Sequence, residues 1–513
     1  MPPLGPLLVD QLRFMAEAHP DDNGYEDLDA GEAITFRQWD ERSNQAARWL
    51  AARGVGKGDR VSVYMPSEYC LKWIVAYAGI HKAGAVCVPT NTRLSERELA
   101  AIVGHAEISA MFTSAPMLAN VDAVRGAVPS LTAIMSPDGE GSGVESWSAL
   151  AELDASQTQV PLERDDLADI MYTSGTTGLP KGVVVRHRDV AMMPNGDPNW
   201  LGTGWLHGAP LFTFAGMSFI FNPMKMGLTA LYMPKFDVDH WFDVVETRRP
   251  MMVFMVPAMA ELVTASARFE AADLSGPLAV SIGSAPLAPP TLLKLQDKMP
   301  QATVSNSYGL TEAGPAYITM PKEEIRNRLG SVGKPMPPME VRIVDPETDA
   351  DCPPRVVGEL LCKLPGKQRE YYKDDDATTR TWTADGWLRS GDLAYTDEDG
   401  FIYISGRMKD MIIRGGNNIY ATDVEAVIIE HPAVQEAAVI GVPHTVLGED
   451  VGAFVVLKPD ASLSEDDLKA FCAERLADYK RPRVLRFVAE LPRNATGKVM
   501  KHKLREEFEQ SAP

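Results

Sequence analysis

The chain has 513 residues, which is enough for a large hydrophobic core and for more than one domain. Its formal net charge of -20 argues against a nucleic-acid partner. Its five cysteines lack the paired spacing of metal ligands, which is typical of a reducing compartment. The N-terminus lacks the basic start of a signal peptide, and prolines break the most apolar region, so we expect a cytoplasmic protein without a transmembrane segment.

Helix and strand patterns alternate in the N-terminal part of the chain. Thr35 and Gln38 have the spacing of a capping box before the first long helix. Strands are predicted at 61–64 and 85–88, with a helix between them that Ser67 caps. Strands that alternate with helices predict an α/β fold with a mainly parallel sheet.

A segment rich in glycine and hydroxyl side chains extends from 172 to 182, between apolar segments that predict strands. Glycines let backbone N–H groups approach a polyphosphate closely, and Ser, Thr and Lys181 add further donors. The alternative is a flexible, solvated linker. The segment is not a Walker loop, because Gly182 rather than Ser or Thr follows Lys181. The pattern favours a phosphate-binding loop.

Methionine and aromatic side chains are dense between 189 and 260. From Trp205 to Met226 the only fixed charge is Lys225. Most of these residues are expected to form ordinary core. Because Met and aromatic side chains also pack around varied ligands, a subset is expected to line an adaptable apolar pocket.

The region beyond 405–410 predicts a separate, compact α+β unit. Thr422 and Glu425 have capping-box spacing, and Ser464 is a second predicted N-cap, for a helix that reaches about 479. Strand patterns follow at 437–442, 453–457 and 484–488.

Five further motifs accompany the glycine-rich segment in a fixed order. They are Gly283–Leu287, Tyr308–Glu312, Gly386–Asp392, Ser405–Asp410 and Pro492–Lys498. Together these motifs resemble the adenylate-forming superfamily of acyl-CoA synthetases, peptide-synthetase adenylation domains and luciferases. The resemblance spans nearly the whole chain, and ordered motifs over such a length are a far more specific signal than one glycine loop.

The resemblance implies an α/β fold in two domains. Residues 1–408 would form a large N-terminal adenylation domain of α/β subdomains plus a β-barrel, and residues 409–513 a small, mobile α+β lid. It also implies the substrates ATP and coenzyme A, with Mg²⁺. In this chemistry a carboxylate attacks the α-phosphorus of ATP to give acyl-AMP, and the CoA thiol then takes the acyl group.

By resemblance, the nucleotide-binding residues fall into three groups. The phosphate ligands would be Thr173, Ser174, Gly175, Thr176, Thr177, Gly178 and Lys181. Adenine would be framed by Ser284, Ala285, Pro286 and Tyr308. Asp392 would bind the ribose hydroxyls, with Arg407 beside it.

The same resemblance implies the catalytic, hinge and acyl-site residues. Thr311 would touch the α-phosphate, Glu312 would hold Mg²⁺, and Lys498 would bridge the carboxylate and the α-phosphate. Lys409 would be the hinge. The acyl pocket would include Phe212, Thr213 and Gly309. Taken singly, each of these residues has an ordinary structural explanation as a solvated, turn or core residue.

Two positions depart from the family pattern. Thr213 stands where acyl-CoA synthetases often carry His, and Asn417 stands where Glu is usual after two glycines. The aromatic segment offers no carboxylate for an amino-acid substrate, which favours a CoA ligase for a hydrophobic acid such as a fatty acid, an aryl acid or a steroid side chain. The alternatives are a module that loads a carrier protein, a luciferase-like oxygenase and a non-catalytic nucleotide-binding protein. The oligomeric state stays open, a homodimer included.

Overall fold

The computed structural model describes residues 5–139, 141, 143–158, 160–173, 180–190, 193–285, 287–314, 318–364, 368–493 and 498–510. The chain divides into two compact units. The first consists of Met1–Gly283, Thr291–Ala316 and Pro365–Ala384, and the second of Ser284–Pro290, Tyr317–Leu364 and Asp385–Pro513. This division does not test the predicted boundary between 408 and 409, which stays a prediction.

The helices of the described residues are, in chain order, α1 (Leu8–Ala18), α2 (Phe36–Ala51), α3 (Cys70–Lys82), α4 (Glu96–Ala106), α5 (Leu118–Arg125), α6 (Phe214–Lys225), α7 (Val238–Arg248), α8 (Pro257–Ala265), α9 (Pro289–Lys298), α10 (Asp375–Thr381), α11 (Ala421–Ile429), α12 (Glu465–Ala473) and α13 (Lys501–Gln510). Within these residues, no helix combines the length and the apolar character that crossing a membrane requires.

The strands are, in the same order, β1 (Asn23–Asp27), β2 (Glu32–Thr35), β3 (Arg60–Tyr64), β4 (Val86–Pro89), β5 (Ile108–Thr113), β6 (Ala133–Ser136), β7 (Glu145–Ser146), β8 (Leu167–Thr173), β9 (Lys181–Arg186), β10 (Gly204–His207), β11 (Thr229–Tyr232), β12 (Met252–Met255), β13 (Ala279–Gly283), β14 (Thr303–Ser307), β15 (Ile318–Thr319), β16 (Ser331–Pro335), β17 (Glu340–Val344), β18 (Gly358–Lys363), β19 (Leu388–Thr396), β20 (Ile402–Arg407), β21 (Ile412–Arg414), β22 (Asn417–Ile419), β23 (Val434–His444), β24 (Gly448–Leu457) and β25 (Val484–Phe487).

Two seven-stranded sheets form the framework of the first unit. The first sheet has the order β14-β13-β12-β10-β11-β1-β2, and the second has the order β7-β6-β5-β3-β4-β8-β9. Neighbouring strands are parallel except for β1 with β2 and β8 with β9. The predicted α/β class is therefore confirmed, with one antiparallel edge strand on each sheet.

Two smaller sheets belong to the second unit. One has six antiparallel strands in the order β15-β16-β20-β19-β18-β17. The other has the order β22-β21-β24-β23, and β25 joins β24 in parallel. Helices α11 and α12 contribute Val424, Ile428 and Leu468 to the apolar core of the sheet that contains β21 to β25. The compact α+β region predicted beyond residue 410 is thus present.

Helix caps show where local sequence signals succeed. The Thr35 side chain accepts a hydrogen bond from the Gln38 backbone N–H at 3.2 Å, and Gln38 returns one to Thr35, which confirms the predicted capping box. Ser464 caps α12 as predicted, although the helix ends at Ala473 rather than near 479. Both caps satisfy backbone donors within a single turn, so nearby residues suffice to specify them.

Two other cap predictions are wrong. A 3-10 turn occupies Ser67–Tyr69, and α3 begins only at Cys70. Helix α11 begins at Ala421, with no side-chain cap, so Thr422 lies inside its first turn. The Glu425 carboxylate accepts from the backbone N–H of Val439 at 2.8 Å instead of capping the helix.

A buried polar network crosses the core between α3 and β8. Asp169 accepts a hydrogen bond from the Tyr77 hydroxyl at 3.1 Å and lies 3.0 Å from His81 Nε2. The ring of His187 lies edge-on to His81, with 5.1 Å between the ring centres. Burial, and next the charge of His81, lower the pKa of His187 to about 3. Burial also lowers the pKa of His207 to about 3.

The low pKa values of His187 and His207 predict that the folded protein loses stability in acid. Each is neutral in the folded protein, but has a pKa of about 6.5 when unfolded, so the unfolded chain binds more protons between about pH 6.5 and 3. The contribution that each neutral histidine makes to the unfolding free energy is therefore fully present above pH ~6.5. Lowering the pH to about 5 should reduce the unfolding free energy by ~2 kcal/mol per histidine. Denaturant unfolding at both pH values measures this. His187→Gln should reduce the loss, whereas His502→Gln, on the exposed face of α13, should not; equal losses in all three proteins would contradict the assignment.

Candidate active site

The glycine-rich segment connects two adjacent strands of the second sheet. Strand β8 ends at Thr173 and β9 begins at Lys181, and these two residues pair across the antiparallel ladder. The strands therefore hold two predicted phosphate ligands next to each other. The other predicted ligands of this loop, Ser174, Gly175, Thr176, Thr177 and Gly178, lie outside the described residues.

A segment from much later in the chain lies along the other edge of β9. The backbone N–H of Val184 donates to the carbonyl of Glu370 at 2.9 Å, and the N–H of Tyr372 donates to the carbonyl of Gly182 at 2.7 Å. Between them, Tyr371 forms an antiparallel bridge with Val183. This pairing places residues 370–372 beside the base of the glycine-rich segment.

Tyr371 lies between two residues that the motifs single out. Its hydroxyl donates to Glu312 Oε1 at 2.9 Å, and Lys181 Nζ lies 5.1 Å from the centre of its ring. Burial, and next the charge of Glu312, raise the pKa of this phenol, which keeps the hydroxyl a donor at neutral pH. No motif in the sequence marks Tyr371.

Arg369 fixes the backbone of the loop that carries Thr311 and Glu312. Arg369 is 3% exposed, and its guanidinium donates to the carbonyls of Thr311 at 2.7 Å and Asp189 at 2.6 Å. It also lies 5.0 Å from the ring centre of Phe214, the first residue of α6. Gly314, at φ +79°, leaves room for this guanidinium, since a Cβ there would lie 2.9 Å from Arg369 Nη2. Sequence reasoning missed Arg369 as well.

The Glu312 carboxylate fits the Mg²⁺ that the resemblance implies. One oxygen accepts the Tyr371 hydroxyl, which orients the group, and hard carboxylate oxygen is the ligand type that Mg²⁺ prefers. Nowhere in the described residues do three or more His, Cys, Asp or Glu side chains form a metal-binding group.

Several predicted residues follow strands of the first sheet. Ser284 comes directly after β13, and Tyr308, which is half-buried, comes directly after β14. Ligands of open α/β sheets bind outside the carboxyl ends of the strands, so these positions suit a binding loop. Ser284 has φ +74°, a left-handed conformation that is rare for residues other than glycine and is concentrated at functional sites. Ala285 is half-buried, and Pro286 lies outside the described residues.

Thr213 acts as the N-cap of α6. Its hydroxyl accepts from the Gly216 N–H at 3.0 Å and lies 2.7 Å from the Pro210 carbonyl, to which it donates. A Cβ at Gly216 would lie 2.0 Å from that same carbonyl oxygen, so the turn requires glycine. The other predicted acyl-site residues are Phe212, which is half-buried, and Gly309, which is exposed.

The remaining predicted site residues belong to the second unit. Arg407 Nε lies 3.2 Å from Asp392 Oδ1, and the two residues pair across β19 and β20. Lys409 is exposed in a short 3-10 turn at Met408–Asp410. Lys498 is exposed shortly before α13, next to an antiparallel bridge between Arg493 and Val499. The roles of these residues stay predictions.

Comparison with known proteins identifies the class of this chain. The family model described as AMP-binding enzyme matches residues 12–372, and that of the AMP-binding enzyme C-terminal domain matches residues 423–498. The chain belongs to the AMP-binding enzyme family, which confirms the resemblance read from the motifs. It is an AMP-forming acid–thiol ligase, and its reaction uses ATP, Mg²⁺ and coenzyme A.

Relatives cover almost the full length of the chain. It is 34% identical over 501 residues to the 3-[(3aS,4S,7aS)-7a-methyl-1,5-dioxo-octahydro-1H-inden-4-yl]propanoyl:CoA ligase of Rhodococcus jostii, covering 92% of this chain and 94% of the relative. It is 32% identical over 511 residues to the long-chain-fatty-acid–CoA ligase FadD13 of Mycobacterium tuberculosis, covering 98% of both. Among solved structures, the anthranilate CoA ligase AuaEII in complex with anthranoyl-AMP superposes with a TM-score of 0.86, at 28% identity over 98% of both chains.

The capping role of Thr213 predicts a stability effect that is separable from catalysis. Thr213→Val removes the cap and should lower the unfolding free energy by ~1 kcal/mol, whereas Thr213→Asn should retain most of it, because Asn is a good N-cap. Denaturant unfolding of the parent and both variants measures this. Equal stability of the Val and Asn variants would show that the hydroxyl does not act as a cap.

Proposed function

We propose that this enzyme activates a hydrophobic monocarboxylic acid to its acyl-AMP and then transfers the acyl group to coenzyme A. The observation that carries the substrate class is a cavity at the carboxyl ends of β10, β11 and β12. It is lined by Leu206, His207, Gly208, Met233, Phe236, Trp241, Phe254, Met255 and Met259. None of these side chains carries a fixed charge, since burial holds His207 neutral by lowering its pKa to about 3.

The cavity is suited to an acyl tail rather than to a second carboxylate. Its volume is about 10 Å³, close to the minimum that one water molecule occupies, so a tail must displace flexible side chains. The methionines suit this, because unbranched thioethers repack around varied ligands. A second carboxylate would require a cation, and Lys225 is not among the lining residues; its Nζ donates to the Met193 carbonyl at 2.8 Å.

Two of the lining residues carry buried ring nitrogens without partners in the described part of the chain, which favours an acid with an oxygen on its distal part. His207 Nδ1 and Trp241 Nε1 are buried and have no hydrogen-bond partner among the described residues. A buried polar group without a partner costs ~1–3 kcal/mol, which a hydroxyl or carbonyl on the tail would offset. The dioxo acid in the name of the Rhodococcus relative has such groups.

In the first step, a carboxylate oxygen of the acid bonds to the α-phosphorus of ATP, and the bond to the bridging oxygen breaks to release pyrophosphate. Lys181 would hold the departing phosphates as a point charge, and Thr311 would contact the α-phosphate. Mg²⁺ held by Glu312 would neutralise charge on the phosphates. In the second step, the CoA sulfur bonds to the acyl carbon as its thiol proton is lost, and AMP leaves.

The two steps require different residues around the reacting atoms, and the second unit would supply some of them. Asp392 would accept the ribose hydroxyls, and Lys498 would offset the charge that builds as carboxylate oxygen meets α-phosphorus. Lys409 would be the residue whose backbone rotation exchanges the two arrangements. The Arg407–Asp392 ion pair at 3.2 Å supports a role for both residues at one place in that unit.

A substrate panel tests the proposed acid. We expect kcat/KM to be higher for octanoate, cinnamate and a keto-bearing bicyclic propanoate than for acetate or malonate, because only the first three bury apolar area. Pyrophosphate release with each acid, with and without CoA, measures it. A preference for acetate or malonate would overturn the proposal, and acyl-AMP formation without acyl-CoA would indicate a carrier protein as acceptor.

A matched pair of variants ties this preference to the cavity. Met259→Trp fills space at its wall and should lower kcat/KM for octanoate by ~10-fold while leaving acetate nearly unchanged. Met336→Trp, at an exposed methionine of the second unit, should leave both acids unchanged. If the two variants behave alike, the cavity does not bind the tail.

Lys498 should act in one half-reaction alone. Lys498→Ala should slow acyl-AMP formation by ~10²–10³ or more, because a positioned charge at the developing transition state is lost. Supplied with synthetic acyl-AMP and CoA, the same variant should form acyl-CoA at nearly the parent rate. Lys498→Arg should not restore adenylation, since a planar guanidinium does not replace a compact ammonium. Lys503→Ala, at an exposed lysine of α13, is the control; equal loss in both half-reactions would make Lys498 structural.

A further inference from the structure

We propose that Tyr371 is a positioning residue that separates the phosphate lysine Lys181 from the metal-binding carboxylate Glu312 and presents both to the nucleotide. The inference rests on the roles proposed above for Lys181 and Glu312. The hydroxyl of Tyr371 donates to Glu312 Oε1 at 2.9 Å, and the ammonium of Lys181 lies 5.1 Å from the centre of the same ring. One side chain thus contacts both charged groups.

A lysine and a glutamate that serve one nucleotide carry opposite charges and attract each other. An ion pair between them would have to break before the lysine could bind phosphate and the carboxylate could bind metal. In the described residues, Lys181 and Glu312 form no ion pair with each other. Tyr371 gives each group a neutral partner instead, a hydroxyl for the carboxylate and a π face for the ammonium.

The position of Tyr371 is fixed independently of the nucleotide. Its backbone bridges Val183 on β9, and its N–H donates to Thr378 Oγ1 at 2.8 Å. Its ring packs with Val183 and Ala377, and the residue is only 9% exposed. A group held in this way can orient a ligand carboxylate without reorganising when the ligand arrives.

Tyr371→Phe separates the two contacts, because it keeps the ring for Lys181 and removes the hydroxyl that orients Glu312. We expect Mn²⁺ binding in the presence of a non-hydrolysable ATP analogue to weaken by ~10-fold, as measured by electron paramagnetic resonance of free Mn²⁺. Binding of the analogue without metal should stay within ~2-fold of the parent, since Lys181 keeps its aromatic partner.

Tyr372→Phe is the matched control. Tyr372 is the next residue and is half-buried. It packs against the apolar cluster of the sheet that contains β8 and β9. Its variant should bind Mn²⁺ and the analogue like the parent. Thermal unfolding of both variants measures whether either loses stability.

Glu312→Gln distinguishes a failure of the proposed metal site from a failure of the positioning role of Tyr371. If Glu312→Gln binds Mn²⁺ like the parent, the proposed metal site is wrong and the inference falls with it. If Glu312→Gln weakens Mn²⁺ binding but Tyr371→Phe does not, the site stands and the positioning role is wrong. Equally weakened Mn²⁺ binding in Tyr371→Phe and Tyr372→Phe would also show that Tyr371 is merely structural. A lower unfolding temperature of Tyr371→Phe without a change in Mn²⁺ binding would show the same.

Discussion

The pairing of β9 with β8 on one side and with residues 370–372 on the other is the constraint on which the candidate site depends. It places Thr173 beside Lys181 and carries Tyr371 to the base of the glycine-rich segment. From there Tyr371 and Arg369 reach Glu312 and Thr311, which follow a different sheet. Backbone hydrogen bonds therefore determine where these side chains lie.

The proposed nucleotide site belongs to a chain that is strongly acidic as a whole. With a net charge of -20, the long-range field opposes ATP and coenzyme A, so attraction must be local. The Arg369 guanidinium donates to the backbone carbonyls of Thr311 and Asp189, and it holds the Thr311 loop. Lys181 faces a neutral ring. A neutral ring does not cancel the ammonium charge of Lys181, which suits the phosphate-binding role proposed for it.

The apolar region between 189 and 260 combines ordinary core with a few residues that line the cavity proposed for the acid. Most methionine and aromatic side chains between 189 and 260 pack as core, as Met217, Met224 and Phe221 do. The cavity at the ends of β10, β11 and β12 uses a different subset, with His207 as a neutral polar member. Thr213, in contrast, serves the first turn of α6. The helix cap thus accounts for the threonine at this position in physical terms.

The sequence by itself determined the α/β class, the strands that flank the glycine-rich segment, the caps at Thr35 and Ser464, and the family. These features depend on residues within a few positions of each other, or on motif order, and both can be read along the chain. Only the tertiary structure decided that Tyr371 contacts Glu312, which is 59 residues away, and that Glu425 serves the Val439 backbone instead of a helix cap. Such contacts arise where distant segments pack, and packing is not encoded in any local period of the sequence.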